Sequence, residues 1–530
     1  MTSTLTPEHT AADLPEHLDV VIVGAGISGI GMAYRLQESM PLSRYAILES
    51  RPTSGGTWDL FRYPGVRSDS DMYTFAYPFR PWRGRKAIAD GADILDYVRA
   101  TAQDNGIEEH IHYGCRVTAS SWSTPEQRWT ITVRSSEPDG SERERQVTAN
   151  HLHLAAGYYD YEDPHSPQFA GVEDFDGRVV HPQFWPEGLD YTGQRVVVIG
   201  SGATAITLLP SMTDVAAHVT MLQRTPSYIF TVPERDRLMR AIGEVLPKNL
   251  TNRLVRAKNV GVQWFFYRLS RVSPAAAKAI VMGDLSRRVP PEDVTEHFTP
   301  PYDVWDQRLC AVPDGDFFRA LRSGSASVVT EHIDRFVPEG IRLANGEILE
   351  ADLVVSATGL QMKALGGIHF EVDGVDFPVE TAYAYRGMML SGLPNTTLSI
   401  GYVNASWTLR ADLISRYTVR LLMHMRQHDR GVAVPIAPGN MPAGPIMALS
   451  SGYMRRAVAT FPKVGDRAPW TVPQSYVHDT VSFARADITD SMHFIPRDGT
   501  AVELPHSAPA PASLTTAEMA PATGELVGSP

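Results

Sequence analysis

Two stretches of this chain share one pattern, and together they restrict the fold more than any other feature. LDVVIVGAGISGIGMAYRLQ, residues 18 to 37, runs from a β-branched segment through Gly24, Gly26 and Gly29 into a helical pattern. QRVVVIGSGATAITLLP, residues 194 to 210, repeats it with Gly200 and Gly202, and with Ala205 in the third place. Each reads as strand, tight turn and helix. In such a unit the first glycine allows the turn and the second lets backbone approach a pyrophosphate. The third lets the helix pack on the strand, with its N-terminus facing the anion. The expectation is an α/β fold with two Rossmann-like dinucleotide-binding domains. Ala203 and Thr204, which open the second helix, count among its binding residues.

The strand after each helix separates the two units. In the first, YAILE ends in Glu49, twenty residues after Gly29, where an acid can hold a ribose hydroxyl pair. HVTMLQRTPSY, residues 218 to 228, ends its strand in Arg224 and Thr225 instead. A cation and a hydroxyl suit a 2′-phosphate that an acid would repel, so NADPH is favoured over NADH. A solvated surface arginine is the competing reading of Arg224. Two such units suggest a flavin and a nicotinamide working together. HLHLAAGYY, residues 151 to 159, ends in Ala156-Gly157, and ADLVVSATGLQ, residues 351 to 361, ends in Ala357-Thr358-Gly359. Chains that insert one Rossmann domain in another cross at such small-residue strand ends, which puts Thr358 and Gly359 at a cofactor. Either stretch alone also fits a plain strand end.

Composition removes other classes. A net charge of -12 argues against nucleic-acid binding, which needs a basic surface. Cys115 and Cys310 sit in neither a CxxC nor a metal-ligand spacing, so no disulfide framework and no metal site are expected. The polar, acidic start lacks a secretory pattern, and no run approaches ~18 apolar residues; a cytoplasmic protein is expected, with peripheral membrane attachment left open.

FDGRVVHPQFWP, residues 175 to 186, holds one His between a Gly and a Trp-Pro pair. Its Phe175, Gly177, His181, Trp185 and Pro186 match FxGxxxHxxxWP, and by this motif the sequence resembles the type I Baeyer-Villiger monooxygenases among the class B flavoprotein monooxygenases. In that family the segment joins the two nucleotide domains. The resemblance implies a conformational and cofactor-positioning role for His181; a satisfied structural histidine is the alternative. GGTWDLFRYPGVRSDSDMY, residues 55 to 73, is similar to the family's segment along the flavin. It implies cofactor contacts for Gly56, Thr57, Trp58, Asp69 and Tyr73, with Asp69 near the flavin's reactive edge. YDVWDQRLCAVPDGDFFRAL, residues 302 to 321, places Arg308 where the family has its active-site arginine. A guanidinium can stabilise the anionic reduced flavin and its peroxide adduct without donating a proton. Asp69 is expected to orient it in a bidentate pair. Gln307 stands where several relatives carry a lysine that helps hold the 2′-phosphate, so NADPH preference rests more on Arg224.

The similarity runs from about residue 18 to about residue 490 and includes the mycobacterial ethionamide-activating subgroup. It implies FAD and NADPH as cofactors and O2 as co-substrate. It also implies a peroxyflavin that inserts oxygen into ketones, giving esters or lactones, or oxygenates sulfides and thioamides. A sulfide- or N-oxidising flavin-containing monooxygenase and a non-catalytic NADPH-binding redox sensor are the alternatives. A flavin disulfide reductase would need a redox cysteine pair, which these two cysteines do not form.

The implied organisation is a flavin domain over residues 18 to 160 and 330 to 495, with an NADPH domain over 161 to 329 inserted in it. Residues 1 to 17 and 505 to 530 are expected to be disordered. Residues 235 to 288 form a basic helical insertion, with twelve Arg or Lys against Asp236, Glu244 and Asp284. A cap on the NADPH domain is the preferred reading. Docking on an anionic membrane or a partner subunit, through the aromatic GVQWFFYRLSR, is the other. Residues from Tyr383 to Asn404 are expected near the substrate pocket, and Asn404, Ser406 and Trp407 at a helix start.

Overall fold

The computed structural model describes residues 13–136, 141–243, 245–447, 449–497 and 503–511. Its first sheet has nine strands. At its centre His17–Val23 runs parallel to Tyr45–Leu48 on one side and to Glu142–Leu154 on the other. Val20, Val21 and Ile22 are buried, as a parallel strand covered on both faces requires. Glu142–Leu154 changes character along its length: the exposed ERER end pairs antiparallel with Arg128–Ser136, and the buried HLHL end lies inside the parallel sheet. Cys115–Ser123 extends the antiparallel side, His369–Val372 runs parallel to it with Val375–Asp376 antiparallel beyond, Ile111–His112 closes the parallel side, and Thr396–Leu398 joins Glu142–Leu154.

The second sheet is five-stranded and all parallel, in the order Ala326–Thr330, His218–Gln223, Arg195–Ile199, Leu353–Ser356, Arg178–Val180. Two dinucleotide-type sheets in one chain, the second inserted in the first, is the expected fold. The far boundary is not where the sequence suggested. The inserted domain runs past residue 329 to Ser356, because the four buried residues of Leu353–Ser356 need a parallel neighbour on each side and find them in Arg195–Ile199 and Arg178–Val180. Between lies a small antiparallel sheet of Ile333–Val337, Gly340–Leu343 and Ile348–Glu350.

The chain leaves and re-enters the first domain along a short two-stranded ribbon. Tyr159 bridges Met362 in antiparallel fashion, Asp160 N–H donates to Gln361 O at 2.9 Å and Lys363 N–H to Tyr158 O at 3.0 Å. Lys363 Nζ also pairs with the Asp160 carboxylate at 2.8 Å.

The terminal expectations need correction where the structure describes them; residues 1–12 and 512–530 lie outside the described residues. Leu14 is buried and its carbonyl accepts from the Arg145 guanidinium, and His17 already belongs to the first strand. Ala510 is buried too, with its N–H on Thr381 O at 2.6 Å, so residues 505 to 511 pack on the body of the first domain.

The basic insertion forms the helices Arg237–Ile242, Lys248–Val272 and Pro274–Leu285. Asp236 caps the first by accepting from Leu238 and Met239 N–H, and Pro274 opens the third where its missing N–H costs nothing. The long helix is more than a cap on the inserted domain. Arg256 donates to the carbonyls of Tyr73, Thr74 and Ala76, and Asn259 and Gln263 donate to Asp71, all in the first domain. Asp284, one helix later, accepts from Thr231 N–H in the second. The insertion therefore bridges the domains.

Candidate active site

Both glycine turns need the absence of a side chain. Gly24 has φ +102° and Gly200 has φ +136°. A Cβ on Gly24 would sit 2.6 Å from Ala155 O, and one on Gly200 2.3 Å from Ala357 O. Each turn is thus pressed beneath one of the two crossing segments. Gly29 packs against its own turn, 1.9 Å from Gly24 O to a built Cβ, and makes room rather than contact. Gly26 and Gly202 stand at the starts of the helices Ile27–Ser39 and Ala203–Met212. Gly26 faces Gly56, while Gly202 has nothing within 4 Å and opens into free space.

That space is one cavity of about 1650 Å³ running between the domains. A single drug-sized ligand occupies roughly 300–1,000 Å³, so this volume accommodates more than one. Its walls carry Gly24, Gly26, Glu49, Gly56, Thr57 and Trp58 from the first domain. From the second and from the crossing segment come Gly200, Gly202, Ala203, Thr204, Arg224, Thr225, Thr358 and Gly359. Glu49 is buried, with its carboxylate accepting from Ala25 N–H at 2.7 Å and Arg51 N–H at 2.9 Å. Burial pushes its pKa up, against those donors. Arg224 is exposed to the cavity and makes no ion pair among the described residues. Two glycine cradles, an acid at one and an unpaired cation at the other, fit two dinucleotides.

Arg308 and Asp69 meet on the wall of the cavity. Arg308 Nη1 lies 3.8 Å from an Asp69 oxygen, a single long contact in place of the expected bidentate pair. The guanidinium is turned elsewhere: Nη2 donates to Tyr158 Oη at 3.0 Å, while the buried Nε has no partner. Tyr158, Tyr453 and Tyr159 surround it, and with Asp69 they hold its pKa well above the ordinary value, Tyr158 having the largest effect. Asp69 sits deep in the molecule yet shows 55% of its side chain to the cavity. Burial raises its pKa, and Arg308 and Arg67 pull the other way. Cys310 lines the same wall, with burial pushing its thiol up to about 12; Cys115 is likewise free and buried. Neither cysteine is a thiolate near neutral pH, and they share no disulfide.

Other expected residues stand away from the cavity. Tyr73 is buried in the first-domain core with no partner for its hydroxyl, because the short helix Met72–Phe75 rotates it from the wall that Asp69 and Asp71 line. The motif from Phe175 to Pro186 also lies outside the walls. Phe175 packs edge-on against Phe336, and a side chain on Gly177 would strike Asp352 O at 2.5 Å. Trp185 packs on Tyr191, and Pro186 O accepts from Leu189 N–H. His181 Nδ1 accepts from Gln183 N–H at 3.2 Å, its buried Nε2 has no partner, and burial lowers its pKa beside Gly359. The motif thus braces Leu353–Ser356, pairing Arg178–Val180 with it and setting His181 beside Gly359.

Of the region from Tyr383 to Asn404, Tyr383 is buried with its hydroxyl on Met441 O at 2.5 Å, while Tyr402, Val403 and Asn404 line the cavity. Trp407 begins the helix Trp407–Gln427, donates to Ser28 Oγ at 2.8 Å and stands 5.2 Å from the Tyr158 ring. The roles of Tyr158, Tyr159, Tyr453 and Asp71 were not foreseen. The first two follow a parallel strand's carboxyl end, where ligands gather in such sheets, and that signal was available. Tyr453 carried none. Among the described residues, one His-carboxylate group is tight enough to share an ion, His369, Glu371 and Asp376, and it lies on a surface hairpin.

Residues 72–279 match the flavin-binding monooxygenase-like family, and residues 22–86 match an NAD(P)-binding Rossmann-like domain. The chain is 47% identical over 480 residues to the FAD-containing monooxygenase EthA of Mycobacterium tuberculosis, covering 90% of this chain and 97% of that protein. EthA of Mycolicibacterium smegmatis is also 47% identical, over 486 residues, with 91% and 98% covered. Among solved structures, an oxidised steroid monooxygenase bound to NADP superposes with TM-score 0.70 at 20% identity, covering 91% of this chain and all of that one. OTEMO complexed with FAD and NADP gives 0.64 at 22% identity, with 79% and 87% covered.

Proposed function

The chain belongs to the FAD-containing monooxygenase family, and from that premise we propose that it oxygenates ketones to esters or lactones, and the sulfur of sulfides and thioamides. It is an NADPH-dependent flavin enzyme that inserts one oxygen atom from O2. When bound, FAD and NADPH supply the reducing equivalents and the activation of oxygen. The chain's residues supply the rest. The first glycine turn and Glu49 hold the flavin nucleotide, with the acid on the ribose hydroxyls. The second turn, Arg224 and Thr225 hold NADPH at its phosphates. Arg308 stays cationic at every working pH and stabilises negative charge developing between the two cofactors, yet it offers no proton to quench a nucleophile. Tyr158 fixes the guanidinium from one side and Asp69 from the other.

The observation that carries this reading is Arg308, charged and flanked by Asp69 and Tyr158, lining the same cavity as two side-chain-free turns. The test is NADPH oxidation by the purified yellow protein, with product analysis, offering one methyl ketone and one aryl methyl sulfide. Ester from the ketone supports Baeyer-Villiger insertion, and sulfoxide alone moves the assignment to sulfur oxidation on the same scaffold. No oxygen-dependent NADPH consumption with either would leave the redox sensor. Arg308→Ala should retain flavin but lose oxygenation by roughly 10²–10³-fold; turnover at the parent rate refutes its role.

No helix among the described residues is long and apolar enough to cross a membrane. The proposal includes contact with a membrane surface through residues 235 to 288.

A further inference from the structure

The long helix Lys248–Val272 has two different faces. Toward the protein it buries Thr251, Val255 and Ser270, and its neighbours Lys258, Asn259, Val262 and Gln263 line the cavity. Toward solvent, Leu250, Leu254, Phe265 and Val272 recur at helical spacing with Trp264 beside them. They are far from marginally exposed: Trp264 shows 41% of its surface, Phe265 60% and Val272 69%.

The charge on this helix is one-sided. It carries Lys248, Arg253, Arg256, Lys258, Arg268 and Arg271 and no acid, within a chain of net charge -12. The acids that reach it meet its other sides, Asp236 pairing with Lys258, Asp306 with Arg271 and Asp71 with Asn259 and Gln263. Arg253 and Arg268 are exposed and make no ion pair among the described residues, and Arg268 lies 6.0 Å over the Trp264 ring. An apolar stripe flanked by free cations and an arginine-covered tryptophan complements an anionic lipid surface: the rings enter the headgroup boundary while the cations meet phosphates.

Behind Trp264 a groove of about 20 Å³, walled by Leu409 and Tyr476, shares Gln263, Asn404 and Ala405 with the large cavity; it has room for about one water, so passage of a substrate requires the Trp264 and Gln263 side chains to turn aside. We infer that this face seats the enzyme on an anionic membrane, and that its substrates are lipophilic carbonyl or sulfur compounds entering from the lipid past Trp264 and Gln263. The entry route rests on the monooxygenase reading; the docking does not.

The test uses the full-length holoenzyme and sedimentation with vesicles of phosphatidylglycerol and phosphatidylcholine, against phosphatidylcholine alone. Binding should favour the anionic vesicles, and Arg253→Glu with Arg268→Glu, or Phe265→Ser, should weaken it on the order of tenfold or more. None of these residues lines the cavity, so KM for a short soluble ketone should be unchanged, whereas KM for a long-chain methyl ketone presented in vesicles should rise. Equal binding to neutral vesicles, or none, overturns the docking. Absence of vesicle binding with self-association that Phe265→Ser abolishes gives the face to a second copy of the chain. Anionic binding as expected with an unchanged long-chain KM in the variants overturns the entry route alone, and failure to turn over any ketone would strike the activity while leaving the sedimentation result intact.

Discussion

Gly200→Ala is the sharpest perturbation of the two-cofactor reading. Gly200 adopts φ +136°, and the added methyl would lie 2.3 Å from Ala357 O. A comfortable C···O contact is about 3.3 Å, so the turn and the crossing segment must separate by about 1 Å. The backbone conformation adds about 1–3 kcal/mol of strain for a residue with a Cβ. The same shift carries the N–H groups that open Ala203–Met212 out of the 2.7–3.2 Å range for N–H···O bonds. Losing two such bonds to a phosphate, at roughly 1.5 kcal/mol each, gives about 3 kcal/mol, or roughly 100-fold weaker NADPH. Anaerobic stopped-flow reduction of the bound flavin by increasing NADPH measures this directly. FAD content and reduction by dithionite should stay at parent values, because the first turn belongs to the other sheet. Gly24→Ala is the mirror case: its methyl would meet Ala155 O at 2.6 Å, and the protein should lose FAD. A Gly200→Ala protein with NADPH dependence within threefold of the parent, or one that sheds FAD instead, would refute the assignment of one cofactor to each turn.

Arg224→Ala should raise KM for NADPH about tenfold and leave that for NADH nearly unchanged, since the exposed guanidinium is screened by solvent; parallel loss with both cofactors would show that Arg224 reads no 2′-phosphate. Tyr158→Phe removes the 3.0 Å bond that holds Arg308, so the share of NADPH oxidation ending in hydrogen peroxide should rise severalfold at constant KM for NADPH, and unchanged coupling would exclude the positioning role. Tyr73→Phe deletes a buried hydroxyl that has no partner, and it should retain FAD and be as stable as the parent or up to ~1 kcal/mol more so in urea unfolding; flavin loss would restore Tyr73 to the site. His151 and His153 are buried and pulled down to about 3, so the folded chain refuses protons that the unfolded chain takes up below about 6.5. Stability should therefore fall as pH drops through 6.5, by up to about 1.4 kcal/mol per pH unit for each, and His151→Gln should flatten the urea-midpoint profile between pH 7 and 4.

The features legible in the sequence and those hidden from it differ in range and direction. The glycine turns are local: strand, turn and helix are contiguous, so their geometry is written in consecutive residues. Arg308 and Asp69 were placed by resemblance, but their pairing was misjudged because Tyr158, 150 positions away, competes for the same guanidinium. Tyr73 was placed wrongly because nearness to Asp69 in sequence says nothing of side-chain direction across a four-residue helix. The boundary near residue 330 was missed because Leu353–Ser356 reads alike as a strand of either sheet, and only pairing on both flanks assigns it. The insertion's bridging role rests on Arg256 reaching the carbonyls of Tyr73, Thr74 and Ala76, which no periodicity announces.

The ribbon formed by Tyr158 to Asp160 and Gln361 to Lys363 has a further consequence. Where Tyr159 meets Met362, the outgoing and returning chains lie side by side at ladder distance, about 5 Å apart. The roughly two hundred residues between them are therefore a cassette with a single splice point. A homologous NADPH module cut at these positions can replace the resident one, provided it keeps donors equivalent to Arg256, Asn259 and Gln263 for the carbonyls of Tyr73, Thr74 and Ala76 and for Asp71.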